Sequence, residues 1–373
     1  MEDINRIVSS LPLMKRCDLL SSGEGEVLVT TGGFEDRTLA ASQAIVASNA
    51  SQALIIKYKP KNERNRLDAV LLTLRDKGFV INDDDVIEFD RYDPEAFPTN
   101  FQARLKELNA QKVILDISAM SKLAMLLCLE VCWEMNLHTT LFYAEAECKG
   151  PTQEEYEKAK TENNLHRPSI QIYTGIHGVI RVARLSSVAM QGQPSAAIVF
   201  MSFNESLTQA LLNAVYPSRL FLINSSSNKW NWREEATAWI HEQLRSEWPI
   251  ADNPLEETGN GSKLPSRSVS TLEYKDTVRI LLELYWELAV DHRILLAPTG
   301  SKMQTLGCFF AKALHPDIHI EYPTPEGFWE TYSDGIGQTW IIRFGLLGNV
   351  VSKLRIEERK SLLGIDPENR LSA

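Results

Sequence analysis

Short runs of apolar and β-branched residues alternate along the chain with longer segments whose apolar positions recur on one helical face. The first run is the strand-like EVLVTT at 26–31, which a glycine turn and a helix-like segment follow. Similar runs fall at 52–59, 85–93, 112–118 and 139–146. Strands that alternate with helices pair mainly in parallel, because a helical crossover brings the chain back in the same direction. The pattern therefore predicts an α/β fold.

The second half of the chain repeats the first half, element by element. SAAIVFMS at 195–202 matches the first strand, and HRILLAPTGSK at 292–302 matches KVILDISAMSK at 112–122. We therefore predict two tandem Rossmann-like domains with mainly parallel sheets, related by internal duplication and a pseudo-two-fold axis. The predicted boundaries are an N-terminal helix in 1–22 (roughly 2–20), a first domain at 23–190, a second at 191–350, and a C-terminal helix and tail at 351–373, with a helical insertion near 149–168 and a linker at 251–268.

Composition and charge narrow the classes of function. The 373 residues are 44% hydrophobic and 24% charged, as in folded globular proteins, and their formal net charge is −10. An acidic chain gains no long-range attraction to nucleic acid, so we expect no large duplex-binding surface. No apolar run approaches the ~20 residues of a membrane helix, and the N-terminus lacks the apolar segment of a secretion signal. We expect a cytoplasmic protein that does not bind membranes.

The five cysteines suit a reducing compartment. Cys128 and Cys132 lie one helical turn apart, with His138 and Cys148 nearby, but this spacing fits no common zinc module. Free cysteines are more often small core residues. We therefore predict no metal site and no cofactor.

Candidate chemistry lies where predicted strands end, since open parallel sheets bind ligands beyond the carboxyl ends of their strands. Two equivalent turns carry hydroxyl groups and a lysine at the start of a helix: Ser118, Ser121 and Lys122 in DISAMSK, and Thr299, Gly300, Ser301 and Lys302 in APTGSK. Free N–H groups at a helix start suit an anion. A serine there is often only an N-cap, but a first-turn lysine opposes the helix dipole. Its presence in both turns favours an anionic ligand.

A glycine turn after the first strand supplies a second candidate loop. Thr31, Gly32 and Gly33 would let a ligand approach the backbone closely, and Ser202 and Asn204 stand in the corresponding loop of the second half. We predict that both loops contact the ligand.

Three acidic residues near these turns are candidate acids or bases for an enzyme: Glu35, Asp36 and Asp116. The alternative interpretation is structural. Acidic residues are favoured in a solvated first helical turn, and an aspartate at a strand end can cap its own turn. The residues alone leave both interpretations open.

DISAMSK fits the pattern of Asn or Asp, any residue, Ser or Thr, any three residues, then Lys or Arg. With the glycine turn TTGGFED, it resembles the ligand-binding turns of the CRISPR-associated Rossmann-fold (CARF) sensor domains. APTGSK is similar at Gly300, Ser301 and Lys302 but carries Leu296 and Pro298 at two positions of the pattern. The resemblance implies paired Rossmann-like domains with a cyclic oligonucleotide between them, and sometimes slow cleavage of that ligand.

The leading hypothesis is therefore a sensor in prokaryotic antiviral defence or stress signalling. It would bind a nucleotide or cyclic oligonucleotide between its halves and act through a protein partner as effector, because the chain shows no effector domain. One alternative is an enzyme that processes nucleotides or oligonucleotides, similar to a ring nuclease and without metal. Another is a structural subunit of a defence complex.

Overall fold

The computed structural model describes residues 2–23, 25–48, 51–164, 170–189, 191–242, 244, 248, 255–257, 263–265 and 267–362. Most of the predicted linker at 251–268 and the end of the predicted tail, 363–373, lie outside the described residues.

The described helices and strands alternate as the sequence pattern predicts. The helices are α1 Glu2–Ser9, α2 Ala40–Ala44, α3 Leu67–Asp76, α4 Phe97–Glu107, α5 Lys122–Glu134, α6 Gln153–Thr161, α7 Glu205–Val215, α8 Trp232–Ile240, α9 Tyr274–Leu288, α10 Lys302–Leu314 and α11 Leu347–Leu362. The strands are β1 Lys15–Arg16, β2 Leu20–Ser21, β3 Glu26–Thr31, β4 Ile45–Val46, β5 Gln52–Lys59, β6 Val86–Asp90, β7 Lys112–Asp116, β8 His138–Ala144, β9 Cys148–Lys149, β10 Ile176–Ile180, β11 Ser195–Phe200, β12 Arg219–Ser226, β13 Leu255–Glu257, β14 Lys263–Pro265, β15 Ser268–Ser270, β16 Arg293–Ala297, β17 His319–Ile320, β18 Tyr322–Pro325, β19 Ser333–Asp334 and β20 Thr339–Leu346.

Two mainly parallel sheets organise the molecule, so the predicted mixed α/β class is confirmed. The larger sheet has the order β1-β20-β8-β7-β3-β5-β6, and its strands from β8 to β6 are parallel. The smaller sheet has the order β15-β12-β11-β16-β17 and is parallel throughout. Taken in chain order, the five parallel strands of each sheet follow the same sequence, third-second-first-fourth-fifth.

The strands that close the two halves are exchanged between them. Strand β20, late in the chain, pairs antiparallel with β8 of the larger sheet. Strand β10, which ends the first half, pairs antiparallel with β18 of the second half. The two halves are thus joined by two antiparallel ladders as well as by helix packing.

Helices α5 and α10 form the centre of the contact between the halves. Helix α5 is apolar on all sides, and ten of its residues are buried because it packs on its own sheet and against α10. Every residue of α10 is buried. One continuous apolar cluster includes residues of both helices, such as Leu127 and Phe309. The starts of these two helices therefore face a common space.

The predicted N-terminal helix over roughly 2–20 is wrong beyond Ser9. Helix α1 ends there, and the rest of the segment is irregular apart from two short strands, β1 and β2. Pro12 explains the difference, since proline lacks the backbone N–H that a helix interior needs and disfavours helical geometry in the residue before it. The predicted insertion near 149–168 does contain a helix, α6.

Candidate functional site

The four predicted turns follow the two central strands of each sheet, β3 and β7 in one and β11 and β16 in the other. Each pair of strands is flanked by crossovers that run in opposite directions. Ligands of open parallel sheets bind at such a position, beyond the carboxyl ends of the strands. The fold therefore brings the turns of both halves to one region.

The first lysine turn begins α5. Ser121 is the N-cap, because its hydroxyl accepts a hydrogen bond from Ala124 N at 3.2 Å, while its own backbone N donates to Tyr58 Oη at 2.8 Å. The backbone N–H groups of Lys122 and Leu123 have no hydrogen-bond partner within the described ranges. This helix start thus retains the free donors that favour an anion.

Lys122 reaches from the first half to the second. Its Nζ donates to the carbonyl oxygen of Thr299 at 2.9 Å. Burial lowers the pKa of Lys122 to about 8. The charge of this lysine therefore changes in a range that experiments can reach.

The second lysine turn is built by side-chain hydrogen bonds. Thr299 Oγ1 donates to Phe200 O at 2.7 Å, and Asn204 Nδ2 donates to Thr299 O at 3.2 Å. Ser301 and Gln304 form a capping box at the start of α10, with bonds of 3.1 and 2.7 Å. These bonds fix the direction in which Lys302, the first residue of α10, leaves the turn.

Gly300 leaves no room for a side chain, which gives a first prediction. A Cβ at this position would lie 1.9 Å from Gln304 Oε1 and 2.8 Å from Phe200 Cβ. We expect Gly300→Ala to break the capping box and to lower the free energy of unfolding by about 1–3 kcal/mol, the usual cost of overpacking. Urea denaturation will measure it. The control is Gly23→Ala, whose Cβ would meet its nearest atom at 3.7 Å; equal stability of the two variants would contradict the prediction.

Lys302 carries a buried amine without a partner among the described residues. Only 9% of the residue is exposed, and its Nζ has neither a hydrogen-bond nor an ion-pair partner in the part of the chain that the structure describes. Burial lowers the pKa of Lys302 well below its ordinary value. The cations of Arg37, Lys122 and Lys149 lower it further, while the carboxylate of Glu35 opposes them.

Glu35 and Arg37 form a buried ion pair beside Lys302. Arg37 donates from Nε and Nη2 to Glu35 Oε2 at 2.8 and 2.7 Å, and the same oxygen accepts from Ser333 Oγ at 2.6 Å. Burial alone would raise the pKa of Glu35, but Arg37 and Lys302 hold it below its ordinary value. Glu35 is therefore ionised, and its charge partly balances the surrounding cations.

These groups surround a cavity of about 110 Å³ between the two halves, far more than the roughly 10–15 Å³ that one water requires. Glu35, Lys122 and Lys302 line its polar part. Its remaining wall is rich in aromatic rings and amides: Phe34, Tyr58, Asn62, Asn65, Phe89, Tyr173, Tyr322, Phe328 and Tyr332. The cavity thus combines cationic donors with flat apolar surfaces.

One side of the cavity is formed by residues 322–328 of the second half, which the first half holds in place. Arg91 Nη2 donates to Pro325 O at 2.7 Å, and Arg64 Nη2 donates to Phe328 O at 2.5 Å. The ring of Phe328 stacks on Phe34, with 5.5 Å between the centroids. The cavity is therefore built by both halves on this side as well.

The predicted site residues divide into those that line this cavity and those that do not. Gly33, Glu35, Ser121, Lys122, Thr299 and Lys302 line it. Thr31, Gly32, Asp36, Asp116, Ser118, Ser202, Gly300 and Ser301 are not among the residues that line it, and Asn204 lines a second cavity beside the start of α7.

Several predicted residues outside the cavity stabilise the turns. Ser118 Oγ accepts from Ala144 N at 2.8 Å, and Asp116 accepts from Thr30 Oγ1 at 2.9 Å and from Ser118 N at 3.0 Å. Burial raises the pKa of Asp116 to about 6. Asp36 accepts from Gly335 N at 2.9 Å and pairs with Arg66. These contacts agree with the structural alternative stated for Asp36 and Asp116.

Sequence reasoning missed Tyr58, Arg91, Tyr173 and the segment 322–328. Arg91 stands at the polar exit of a predicted strand, which was a usable signal. Tyr58 lies inside a strand pattern, and residues 322–328 carry few charged groups. The sequence therefore gives no signal that either belongs to the site. Their roles depend on contacts between distant parts of the chain.

No protein-family model matches this sequence, and no curated protein is significantly similar to it. Among the described residues, no cluster of three or more His, Cys, Asp or Glu side chains could hold a metal ion. Within the same residues, the helices are too short or too polar to cross a membrane.

Proposed function

We propose that this protein is a sensor that binds a nucleotide-derived anion in the cavity between its two halves. The observation that carries the proposal is Lys302, whose buried amine lines the cavity and has no partner among the described residues. Burying an amine that has no partner is costly. A phosphate group in the cavity would supply the missing partner.

The surroundings of Lys302 support a phosphate as the anion. Lys122, from the other half, lines the same cavity, and the first turn of α5 offers free N–H groups beside it. Phosphate binds readily where a helix start and lysine side chains converge. Lys122 lowers the pKa of Lys302, and one dianion would stabilise both amines as cations.

The aromatic wall supports a nucleotide over a simple sugar phosphate. Phe34 and Phe328 are stacked, and Tyr173 meets Phe328 edge-on at 5.6 Å between centroids. Planar bases stack on such rings without regard to their sequence identity. The amides of Asn62 and Asn65 line the same wall and can donate and accept hydrogen bonds.

The proposal includes the finer architecture predicted from the sequence. The five parallel strands of each sheet follow one order, which is the order of a Rossmann-like fold. Strand β20 of the second half pairs antiparallel with β8 of the first, and β10 of the first half pairs antiparallel with β18 of the second. Both features support two Rossmann-like halves that arose by duplication, as the resemblance to CARF sensors implies.

The biological context of the proposal follows that resemblance. The ligand is a nucleotide or a cyclic oligonucleotide, the setting is prokaryotic antiviral defence or stress signalling, and output passes through an effector partner. Binding is preferred over turnover because Glu35 is held as the partner of Arg37, while Asp36 and Asp116 do not line the cavity.

Thermal stabilisation by a panel of nucleotides and cyclic oligonucleotides tests the proposal, since a ligand that binds the folded state raises the melting temperature. We expect one nucleotide class to stabilise the protein, and Lys122→Ala and Lys302→Ala to remove that effect. The control is Lys57→Ala. Lys57 is exposed on β5 and precedes Tyr58, so its side chain points to the opposite face of the sheet. Stabilisation that survives in both cavity variants would refute the proposal.

The affinity for the anion should fall as the pH rises through 8. Free Lys122 loses its proton near that pH, whereas the bound anion requires the ammonium form. We expect the Kd to increase at least about tenfold between pH 7 and pH 9, measured by calorimetry. Over the same range the unliganded protein should become more stable, because its unfolded chain binds more protons than the folded state.

The control for this pH dependence is Lys122→Met, which should bind weakly and lose much of the change above pH 8. A Kd that stays constant from pH 7 to pH 9 in the unaltered protein would contradict the assignment.

A further inference from the structure

The two carboxylate oxygens of Glu35 have different surroundings. Oε2 accepts from Arg37 and from Ser333. Oε1 accepts no hydrogen bond from the described residues, although only 6% of Glu35 is exposed. Since Glu35 lines the cavity, a ligand held there can approach its carboxylate.

Lys302 presents a matching free group to the same cavity. Its amine and the carboxylate of Glu35 influence each other's pKa, yet they do not form an ion pair. An unpaired donor and an unpaired acceptor, each on a residue more than nine-tenths buried, thus belong to the lining of one cavity. Both would be satisfied by a ligand that offers an anion to one and a donor to the other.

We propose that Glu35 is a specificity-determining residue that selects phosphate esters bearing a free hydroxyl close to the phosphate, as ribonucleotides do. The inference rests on the proposed function and adds to it the class of ligand. The phosphate contacts Lys302 and Lys122, and the hydroxyl donates to Glu35 Oε1. A carboxylate is a strong acceptor for such a hydroxyl.

The same geometry disfavours a bare anion. A phosphate without a neighbouring donor would bring negative charge next to the ionised Glu35 and leave Oε1 without a partner. A site built to bind a hydroxyl rejects the analogue that lacks it, because its buried polar group is then unpaired. The loss of affinity for a ligand that lacks the hydroxyl is therefore larger than the loss caused by one missing methyl group in an apolar pocket.

The test compares the four common ribonucleoside 5′-monophosphates with their 2′-deoxy and 3′-deoxy analogues, by calorimetry on the full chain. We expect at least a tenfold loss of affinity on removal of the hydroxyl that meets Glu35, as for a hydrogen bond to a charged group. Glu35→Gln should reduce this discrimination severalfold, because the neutral amide accepts more weakly and no longer repels the deoxy ligand.

Ser333→Ala is the matched control, since it removes a hydrogen bond to Oε2 and leaves Oε1 unchanged; its discrimination should equal that of the unaltered protein. Equal affinity for the ribonucleotide and for its 2′-deoxy and 3′-deoxy analogues, with every base, would overturn this inference and leave the proposed function standing. Failure of every ribonucleotide and every deoxy analogue to bind would also overturn this inference; only if the nucleotides and cyclic oligonucleotides of the thermal-shift panel fail as well does the proposed function fall with it. The comparison in the unaltered protein stands even if Glu35→Gln does not fold.

Discussion

Replacing Lys302 by methionine will make the unliganded protein more stable and will abolish its response to nucleotides. The amine is buried, lacks a partner among the described residues and has a pKa that burial holds down. Methionine fills a similar volume without a polar group. Removing the unpaired polar group should add about 1–3 kcal/mol to the free energy of unfolding. Urea denaturation measures that gain, and thermal shift with nucleotides measures the loss of binding.

Lys312 is the control, because it lies on the same helix and is equally buried. Its Nζ donates to the carbonyl oxygens of Pro316 at 2.8 Å and Ile318 at 2.7 Å, so it is well paired. Lys312→Met should therefore lower stability and preserve the response to nucleotides. A Lys302→Met variant that is less stable than the parent would show that the unpaired amine is not costly to the fold, and one that still responds to nucleotides would show that the amine does not serve the ligand.

Replacing Arg37 by methionine will strongly destabilise the protein. Glu35 would remain buried with its negative charge, having lost the two hydrogen bonds that Arg37 donates to Oε2. Breaking a buried ion pair by removing one partner costs about 3–5 kcal/mol. Arg37 Nη1 also donates to Ala144 O at 3.3 Å, so a backbone acceptor would be left unpaired too. Chemical denaturation will measure the loss.

A second variant separates the unpaired charge from the loss of packing. In Glu35→Gln combined with Arg37→Met, the unpaired carboxylate at position 35 is removed, and we expect about half or more of the lost stability to return. The exposed pair of Lys59 and Glu88 provides the control: Lys59→Met should change stability by less than about 1 kcal/mol. If the double variant is as unstable as Arg37→Met alone, the ionised carboxylate is not the cause.

The lysine turns could be predicted from sequence because their signals are local. A strand, a serine and a lysine at the start of a helix are adjacent in the chain, and a parallel sheet places such turns at one edge. The structure places Lys122 and Lys302 at one cavity accordingly. Local patterns could not separate Ser121, which lines the cavity, from Ser118, whose partner Ala144 is 26 residues away.

Other parts of the site and of the fold depend on contacts that no local pattern contains. The apolar run of β20 predicts a strand, but its pairing with β8 joins residues nearly 200 positions apart, such as Trp340 and Tyr143. The same holds for Arg91 and Pro325, which form the side of the cavity. The N-terminal helix was predicted too long because its apolar residues continue past Pro12 into strands.

The exchange of closing strands also limits how the gene for such a chain can evolve by losing or transferring one half. If residues 191–362 were lost, β8 would lack the strand β20 that covers its edge, and the apolar face of α5 would be open to solvent. If the first half were lost, β18 would lack β10. An uncovered strand edge and an exposed apolar helix both promote aggregation. Neither half can therefore be deleted, or transferred to another protein, without exposing these surfaces.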